Sequence, residues 1–292
     1  MTSAKSFKDL ARDWLPPALA RLARRLTPRP AGQEPEYEYA GEQWTDTFRG
    51  QPLRGWDVEQ VARTEEAKWD AFVAAVSGAA PLAVAHEAPL PFAPNLAAHN
   101  MAACFGYVLA LASRGKNSLS VLDWGGGLGH YYILAKALLP EVTIHYAVRD
   151  LPPMCRAGRR LLPTVAFHET DETSFASRYD VVVASSSLQY APDWRAALRK
   201  LSGAAAAWLY LARVPTVKDS PSFVMVQRPR LAGYATEYAG WVLNRAGLLA
   251  ELDRAGMAPR REFLMGERLE VAGAREAVET MGFLSCPKGG AK

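Results

Sequence analysis

The stretch SLSVLDWGGGLGHYY, from Ser118 to Tyr132, has four glycines within five positions, directly after an apolar run that ends with an acid. The apolar run predicts a buried strand, and the glycines predict a tight turn at its carboxyl end. Ligands of open α/β sheets bind at this edge, where residues without a β-carbon allow close approach to the backbone. Nucleotide phosphates, dinucleotides and S-adenosylmethionine (SAM) all bind at such turns, so the spacing of the glycines must distinguish among them.

From this stretch onward, short apolar runs alternate with helical patterns. Strands are predicted at SLSVLDW, VTIHYAV, TVAFHE, YDVVVASSS, AAAWLYLARV, APRREFLM and GFLSC, with helices in most of the intervals. This alternation is typical of a parallel sheet that is covered by helices on its faces. We therefore predict an α/β protein in which the glycine turn follows the first strand of the sheet.

The order of the glycines excludes one ligand class and disfavours another. The phosphate loop requires Lys after its last glycine, but Gly129 is followed by His130. A dinucleotide fingerprint that starts at Gly125 requires a sixth-position glycine, and His130 is there too, so an NAD-dependent oxidoreductase is the weaker alternative. What fits is an acid followed by three alternate glycines, at Asp123, Gly125, Gly127 and Gly129. This order resembles the first motif of class I SAM-dependent methyltransferases, which implies cofactor contacts; a purely structural turn is the alternative.

Acids follow the next two predicted strands. Asp150 ends the second strand, at a distance from Gly125 where a carboxylate accepts hydrogen bonds from ribose hydroxyls. The tripeptide Asp-Leu-Pro at this point resembles small-molecule O-methyltransferases, which implies that Asp150 and Leu151 contact the cofactor. Asp150 can also cap the helix that begins near Pro152. Asp171 follows the third strand, where methyltransferases often contact the adenine amino group.

The fourth predicted strand ends in the segment nearest to the expected chemistry. Small residues at Ser185 and Ser186, followed by Leu, Gln189 and Tyr190, resemble the cofactor and catalytic segment of methyltransferases. Many relatives have His where this chain has Gln189, and an amide cannot act as a general base. A base, if one is needed, therefore lies elsewhere, and the candidates that we expect at the same edge are His86, His99 and His130.

Arg213 is at the end of the fifth predicted strand and is expected to point into the cleft, as a catalytic or acceptor-binding residue. Together with Gln227, Tyr238 and Trp241, it is expected to line an acceptor pocket. In that pocket Trp241 would stack on a sugar face and Arg213 would bind an anionic group. Core packing of Tyr238 and Trp241 is the alternative.

The chain as a whole resembles an uncharacterised methyltransferase family that is associated with bacterial surface-polysaccharide loci. The resemblance rests on the order of LPPAL, YAGEQWTDTFRG, LDWGGGLGHYY, SSSLQY, VMVQRP and YAGWVLNRAGLLAEL. It implies a Rossmann-like class I fold with a mostly parallel seven-stranded sheet and a helical N-terminal extension. It also implies SAM-dependent methylation of a hydroxyl in a glycan precursor or small metabolite. The alternative is a catalytically silent, methyltransferase-like scaffold in a membrane-associated glycan assembly complex.

Composition and charge divide the chain. Of 292 residues, 49% are hydrophobic and 22% are charged, as in ordinary globular proteins, and three scattered cysteines predict neither disulfides nor a metal site. We predict a basic amphipathic helical segment over 1–28, a linker and helical cap over 29–115, and a SAM-binding domain with a C-terminal acceptor segment over 116–292. Residues 1–28 either contact an anionic membrane or dock on protein. We expect a cytoplasmic protein, peripheral at most, that binds no nucleic acid.

Overall fold

The glycine turn belongs to a sheet of eleven strands within residues 34–56 and 58–289, which this computed structural model describes. The predicted basic segment 1–28 lies outside those residues. In chain order the strands are β1 (Tyr37–Gly41), β2 (Thr47–Phe48), β3 (Gln51–Pro52), β4 (Ser118–Trp124), β5 (Thr143–Arg149), β6 (Ala166–His168), β7 (Tyr179–Ser185), β8 (Ala205–Val217), β9 (Phe223–Gln227), β10 (Tyr238–Asn244), β11 (Met257–Leu269), β12 (Val271–Ala272) and β13 (Val278–Pro287). Strands β2 and β3 form a separate two-stranded sheet.

The helices flank this sheet. They are α1 (Val58–Ser77), α2 (Leu96–Ala112), α3 (His130–Leu138), α4 (Pro152–Leu161), α5 (Asp171–Ser174), α6 (Trp194–Ala204) and α7 (Arg245–Arg254), with 3-10 turns at Leu188–Tyr190 and Arg230–Ala232. Among the residues described, no helix combines the length and the apolar character that crossing a membrane requires.

Seven strands form the predicted Rossmann-like sheet, in the order β6-β5-β4-β7-β8-β13-β11, and β13 is antiparallel to its two neighbours. The predicted fold class is therefore confirmed. Successive residues of a strand point to opposite faces. Accordingly Val121 packs with α1 to α4 on one face of the sheet, while Leu122 packs with α6 and α7 on the other. Both faces are buried, which explains why the strands are nearly continuous apolar runs.

Four more strands extend the sheet beyond the end of β8, in the order β10-β9-β1-β12. Strand β10 pairs with β8 only at Thr216 and Val217, so the extension grows from the tip of β8. The stretch around Tyr37 was expected to be a linker, and it instead forms β1 between β9 and β12. The pattern of YEYAG does not reveal this, because the residues that pair with β1 lie near the other end of the chain.

A cap of two helices precedes the Rossmann-like sheet. Helix α1 packs against α3 and α4, and α2 packs against α3, β8 and β11. Asn95 ends the loop between the two cap helices and caps α2, because its Oδ1 accepts hydrogen bonds from the amides of Ala97 and Ala98. This loop carries His86 and Glu87 toward the carboxyl ends of the strands.

Strand β8 is interrupted at the position of Arg213. Met281 pairs with Val214 and Phe283 with Leu211, so two residues of β8 face one residue of β13 in a β-bulge. Arg213 has a φ of 52°, which is uncommon for a residue with a side chain. A bulge redirects the side chain that it contains, and this one turns Arg213 toward the cap.

Candidate functional site

Three of the four glycines in the turn are needed by the packing of the protein itself. A β-carbon at these positions would lie closer to a neighbouring side chain than real β-carbons do. The nearest atoms would be Ser187 Cβ (2.4 Å from Gly125), Asp123 Cγ (2.5 Å from Gly126) and Leu162 Cδ1 (2.7 Å from Gly129). Gly125 and Gly129 also have φ values of 77° and 91°, which favour glycine. Their presence therefore has a structural explanation without any ligand.

Gly127 is different, because its surroundings leave space. A β-carbon there would be 3.4 Å from Met154 Cε and 4.0 Å from His130 Nδ1, which are ordinary contacts. Its amide donates a 2.7 Å hydrogen bond to Asp150 Oδ2, and its φ is 60°. The bare backbone of Gly127 therefore faces the carboxyl edge of the sheet beside a carboxylate.

Asp150 is held by two backbone amides. Gly127 N donates to Oδ2 and Leu151 N donates to Oδ1, each at 2.7 Å. Burial raises the pKa of Asp150, and these two hydrogen bonds oppose the increase. Each carboxylate oxygen has a second lone pair, so the group can accept further hydrogen bonds. The side chain of Leu151 is exposed beside it.

Asp123 lies under the turn and is 1% exposed. Its Oδ2 accepts a 2.9 Å hydrogen bond from the hydroxyl of Tyr146, and its carboxyl group packs against Gly126. Burial raises the pKa of Asp123 to about 7, although the Tyr146 hydrogen bond lowers it. The contacts of Asp123 in this structure are thus with the protein that supports the turn.

Asp171 already has several partners at the end of β6. Arg149 Nε lies 2.8 Å from its Oδ1, Trp124 Nε1 donates to the same oxygen at 3.0 Å, and Lys200 Nζ donates to Oδ2 at 3.4 Å. The carboxylate joins the ends of β4, β5 and α6. An adenine contact, as expected from the sequence, would be added to this network.

The carboxyl end of β7 is strained and polar. Ser185 Oγ and the hydroxyl of Tyr131 share a 2.7 Å hydrogen bond. Ser186 has a φ of 52°, and its amide donates to Ala212 O at 2.9 Å. Gln189 Nε2 donates to Ser186 Oγ at 3.0 Å, whereas Gln189 Oε1 is buried with no hydrogen-bond partner among the described residues. Strained residues of this kind cluster at functional sites, and Ser186 is adjacent in space to the bulge at Arg213.

An aromatic cluster follows on the same side of β10. Tyr190 donates to Gln227 Oε1 at 2.9 Å. Tyr238 packs edge-on against Tyr190, and Trp56 stacks on Tyr238 with 4.2 Å between the ring centroids. Tyr190, Gln227 and Tyr238 therefore lie together, and Trp56 is an additional member that the sequence did not indicate.

Trp241 does not line this cluster. It lies an odd number of residues after Tyr238 in β10, and alternate residues of a strand point to opposite faces. Its indole Nε1 donates to Pro192 O at 3.1 Å, and its ring packs in the core formed with α6 and α7. The expectation that Trp241 stacks on a sugar is thus contradicted by the geometry, and the core alternative describes this residue.

Arg213 is paired with carboxylates of the cap and of β11. Its Nη1 donates to Glu87 Oε1 at 2.6 Å, and its Nε lies 3.6 Å from Glu267 Oε2. Burial raises the pKa of Glu87, but the charges of Arg213 and His86 outweigh that effect and hold the pKa well below its ordinary value. Arg213 joins the fifth strand of the Rossmann-like sheet to the cap loop, and its charge is compensated within the protein.

A buried polar cluster beside the turn surrounds His130 with residues that the sequence did not indicate, Glu65, Lys68 and Tyr234. Lys68 Nζ lies 2.9 Å from Glu65 Oε1, which also accepts a hydrogen bond from the hydroxyl of Tyr234. Glu65 Oε2 lies 3.7 Å from His130 Nε2, and the rings of His130 and His86 stack. The signal in the sequence was a Glu and a Lys at i and i+3 on the apolar face of α1. His99, the third candidate base, is exposed on α2.

Ligand atoms of Glu65, His86 and His130 lie within 4.8 Å of one another, which is near the spacing of a metal site. The imidazole planes differ by only 15°, however, with 4.2 Å between centroids. A metal ion lies in the plane of each imidazole that binds it, because the nitrogen lone pairs lie in that plane. Two nearly parallel planes do not meet within this cluster, so its geometry favours hydrogen bonding over metal binding.

Comparison with known proteins identifies a family for the part of the chain that contains the glycine turn. The family model described as a methyltransferase domain matches residues 96–244, just over half of the chain. That range contains the turn, Asp150, the end of β7 and Arg213. No curated protein matches the chain.

Three solved structures are among those that the chain partly resembles. Magnesium protoporphyrin IX methyltransferase from Synechocystis has 14% identity and a TM-score of 0.47, over 80% of this chain and 99% of that one. A Burkholderia thailandensis 1,6-didemethyltoxoflavin-N1-methyltransferase has 16% identity and a TM-score of 0.42, over 64% and 78%. The sugar N-methyltransferase KedS8 of a Streptoalloteichus species has 18% identity and a TM-score of 0.39, over 64% and 86%. Identities and TM-scores this low carry no assignment by themselves.

The family model provides the assignment. Methyltransferases of this kind take the methyl group from SAM, which confirms the predicted cofactor. Since the match covers more than half of the sequence and includes the glycine turn with the strands around it, the chain belongs to the methyltransferase domain family.

Proposed function

We propose that this protein transfers the methyl group of SAM to a hydroxyl oxygen of a glycan precursor or a related small metabolite. The observation that carries the proposal is the open backbone of Gly127 beside the carboxylate of Asp150. A ligand that requires both bare backbone and a hydrogen-bond acceptor fits this point of the sheet. The three crowded glycines have packing reasons of their own, but Gly127 has room in front of it.

The residues at this edge suit SAM. The free lone pairs of Asp150 accept hydrogen bonds from the ribose hydroxyls, and the exposed side chain of Leu151 packs on the adenine. Asp171 adds an acceptor near the adenine amino group, and the serines that end β7 face the same edge. When bound, SAM supplies a methyl group that its sulfonium activates for in-line displacement.

The acceptor lies, in this proposal, between the aromatic cluster and the Arg213–Glu87 ion pair. Because Glu87 and Glu267 compensate Arg213, the site offers little net positive charge to a phosphate or carboxylate. Trp56 and Tyr190 are half-buried, and aromatic rings of this kind pack well on the apolar faces of sugars. A neutral acceptor rich in hydroxyls is therefore favoured over the anionic acceptor that the sequence suggested.

Alignment of the acceptor with the methyl group can supply much of the rate of a displacement at an activated carbon. Gln189 is buried and can orient groups but cannot remove a proton. His86 and His130 both lie near a carboxylate, but their exposure differs. His86 Nδ1 is 3.5 Å from Glu87 Oε2 and its side chain is 23% exposed, whereas that of His130 is 3% exposed. We assign proton removal to His86, with Glu87 and Arg213 positioning it.

The first test is calorimetric titration with SAM and S-adenosylhomocysteine, with NAD as the control ligand. We expect both adenosyl ligands to bind, NAD not to bind, and Asp150→Ala to weaken binding by about tenfold or more, the cost of a lost charged hydrogen bond. Asp253→Ala is the matched control, because Asp253 is an exposed carboxylate that pairs with Lys288. If Asp150→Ala binds the adenosyl ligands as tightly as the control does, Asp150 does not bind the ribose.

The second test is transfer of labelled methyl groups from SAM to small molecules in an extract of the producing cells, with products identified by mass spectrometry. A labelled O-methyl sugar is the expected product. Binding of SAM without transfer to any component would favour the alternative of a catalytically silent scaffold. A labelled amine would show that the protein is a methyltransferase whose acceptor atom is a nitrogen and not a hydroxyl oxygen.

A further inference from the structure

Helix α1 of the cap brings two charged side chains to the residue that follows the glycine turn. Glu65 and Lys68 are three positions apart on one face of α1, and their side chains are 3% and 9% exposed. This face packs on α3, whose first residue is His130. The ion pair is therefore buried beside the turn, where charges require close partners.

The hydrogen bonds of this group are incomplete in a specific way. Lys68 and Tyr234 both contact Glu65 Oε1, whereas Glu65 Oε2 has no hydrogen-bond partner within the described part of the chain. His130 Nδ1 is also buried and unpartnered in that part. Unmade hydrogen bonds at buried polar atoms are rare in folded proteins, so each requires an explanation.

Both unpartnered atoms are acceptors. Glu65 Oε2 is a carboxylate oxygen, and its position 3.7 Å from His130 Nε2 favours the tautomer with the proton on that nitrogen. Burial lowers the pKa of His130 well below its ordinary value, so the ring is neutral and Nδ1 carries a lone pair. A buried carboxylate oxygen without a hydrogen-bond partner among the described residues fits a group with several N–H donors and a positive charge, and His130 Nδ1 is a further acceptor in the same cluster.

Lys68 can bind a negatively charged group of the same ligand. Its ammonium contacts Glu65 Oε1, and among the residues that the structure describes its other polar contact is a long hydrogen bond of 3.5 Å to Ala88 O. An ammonium group has three donors, so Lys68 retains the capacity to bind a carboxylate. A ligand that carries an ammonium and a carboxylate on one carbon, an α-amino acid, matches both halves and adds no net charge to the buried site.

We propose that Glu65, Lys68 and His130 form an amino-acid clamp for the methionine end of SAM, an inference that rests on the proposed function. Glu65 Oε2 accepts a hydrogen bond from the α-ammonium, Lys68 donates to the α-carboxylate, and His130 Nδ1 is a further acceptor on the side of the site that faces Gly127. The clamp is in the correct place, because His130 Nδ1 is 4.0 Å from the β-carbon position of Gly127.

Three ligands separate the halves of the clamp, because they share adenosine and sulfur. S-adenosylhomocysteine has both charged groups, decarboxylated S-adenosylhomocysteine retains only the amine, and methylthioadenosine has neither. Calorimetry with wild-type protein should give affinities that fall in this order, by about tenfold for each charged group removed. Equal affinity for the three ligands would overturn the clamp and leave the cofactor assignment intact. If none of them binds, the proposed function and the clamp fail together.

Variants identify the residues. Glu65→Gln should weaken both amine-containing ligands by about tenfold, and Lys68→Met should weaken only the ligand with the carboxylate. Methylthioadenosine should bind every variant as it binds wild type, which also reports that the variant is folded. Glu66→Gln is the matched control, because Glu66 is the next residue of α1 and faces Arg160 at the surface. Equal losses for all three ligands in Glu65→Gln and Lys68→Met would mean that the ion pair only holds the cap in place, and the clamp would be rejected.

Discussion

Arg213 Nη1 lies 2.6 Å from Glu87 Oε1, and this ion pair joins the bulge of strand β8 to the loop between the two cap helices. Neither residue is where regular structure would put it. The bulge gives Arg213 its positive φ, and the loop that ends at Asn95 carries Glu87 to meet it. The pair fixes the position of the cap relative to the end of the sheet.

We expect Arg213→Met to lower the free energy of unfolding by roughly 1–3 kcal/mol, because Glu87 loses its main partner while remaining largely enclosed. The double variant Arg213→Met/Glu87→Gln should recover part of this loss. Urea denaturation of the single and double variants measures the coupling. Arg160→Met is the control, since its exposed pair with Glu66 should contribute less than about 1 kcal/mol. Equal effects in the two methionine variants would contradict a structural role for the Arg213 pair.

Two glycines of the turn allow a matched comparison. Gly125→Ala and Gly127→Ala share the strain of a positive φ, about 1 kcal/mol. Only Gly125→Ala adds a collision, with Ser187 Cβ at 2.4 Å, and overpacking costs roughly 1–3 kcal/mol more. Scanning calorimetry should therefore show the lower melting temperature for Gly125→Ala. The reverse order would mean that the space in front of Gly127 is not present in solution.

The raised pKa of Asp123 predicts that the free energy of unfolding depends on pH. Burial raises its pKa to about 7, whereas aspartate in an unfolded chain titrates near pH 4. Between these values the native state holds a proton that the unfolded state has lost. The free energy of unfolding should thus fall as pH rises from about 4 to about 7, by up to about 1.4 kcal/mol per pH unit, and then level off.

Asp123→Asn should flatten this slope, because the amide oxygen can still accept the hydrogen bond from Tyr146 and does not ionise. Urea denaturation at a series of pH values provides the measurement. Some slope will remain, since burial also raises the pKa of Asp150. An unchanged profile in Asp123→Asn would show that Asp123 ionises normally in the folded protein.

Substitutions of Trp56 and Trp241, which lie on opposite sides of β10, should have different effects. Trp241→Phe removes the hydrogen bond to Pro192 O from the core, which should cost about 1–2 kcal/mol of stability and leave the acceptor KM unchanged. Trp56→Ala removes the ring that stacks on Tyr238, and it should raise the acceptor KM. Steady-state kinetics with the identified acceptor, together with urea denaturation, separates the two effects. If the acceptor KM rises in Trp241→Phe but not in Trp56→Ala, Trp241 contacts the acceptor and the core interpretation is wrong.

The sequence was informative wherever structure depends on local pattern. The strand predicted at SLSVLDW is β4 residue for residue, and the helix expected at Pro152 begins there, because buried parallel strands and proline-led helices have strong local signals. Trp241 could not be assigned to a face, since its direction depends on β10 being a strand at all. Glu65 and Lys68 were not indicated by the sequence, because a Glu and a Lys three positions apart are common on exposed helix faces and only the packing of α1 on α3 buries these two.

Strand β1 imposes an order on how the chain can fold. Tyr39 pairs with Met225 and Tyr37 with Val271, so β1 emerges from the ribosome long before either of its neighbours exists. Pairings between such distant residues raise the contact order and slow folding. The parallel strands β4 to β8 can assemble earlier from near neighbours, and the aromatic cluster around Tyr238 then awaits β9 and β10. During synthesis, the nascent chain is therefore expected to acquire its cofactor edge before the other wall of the cleft.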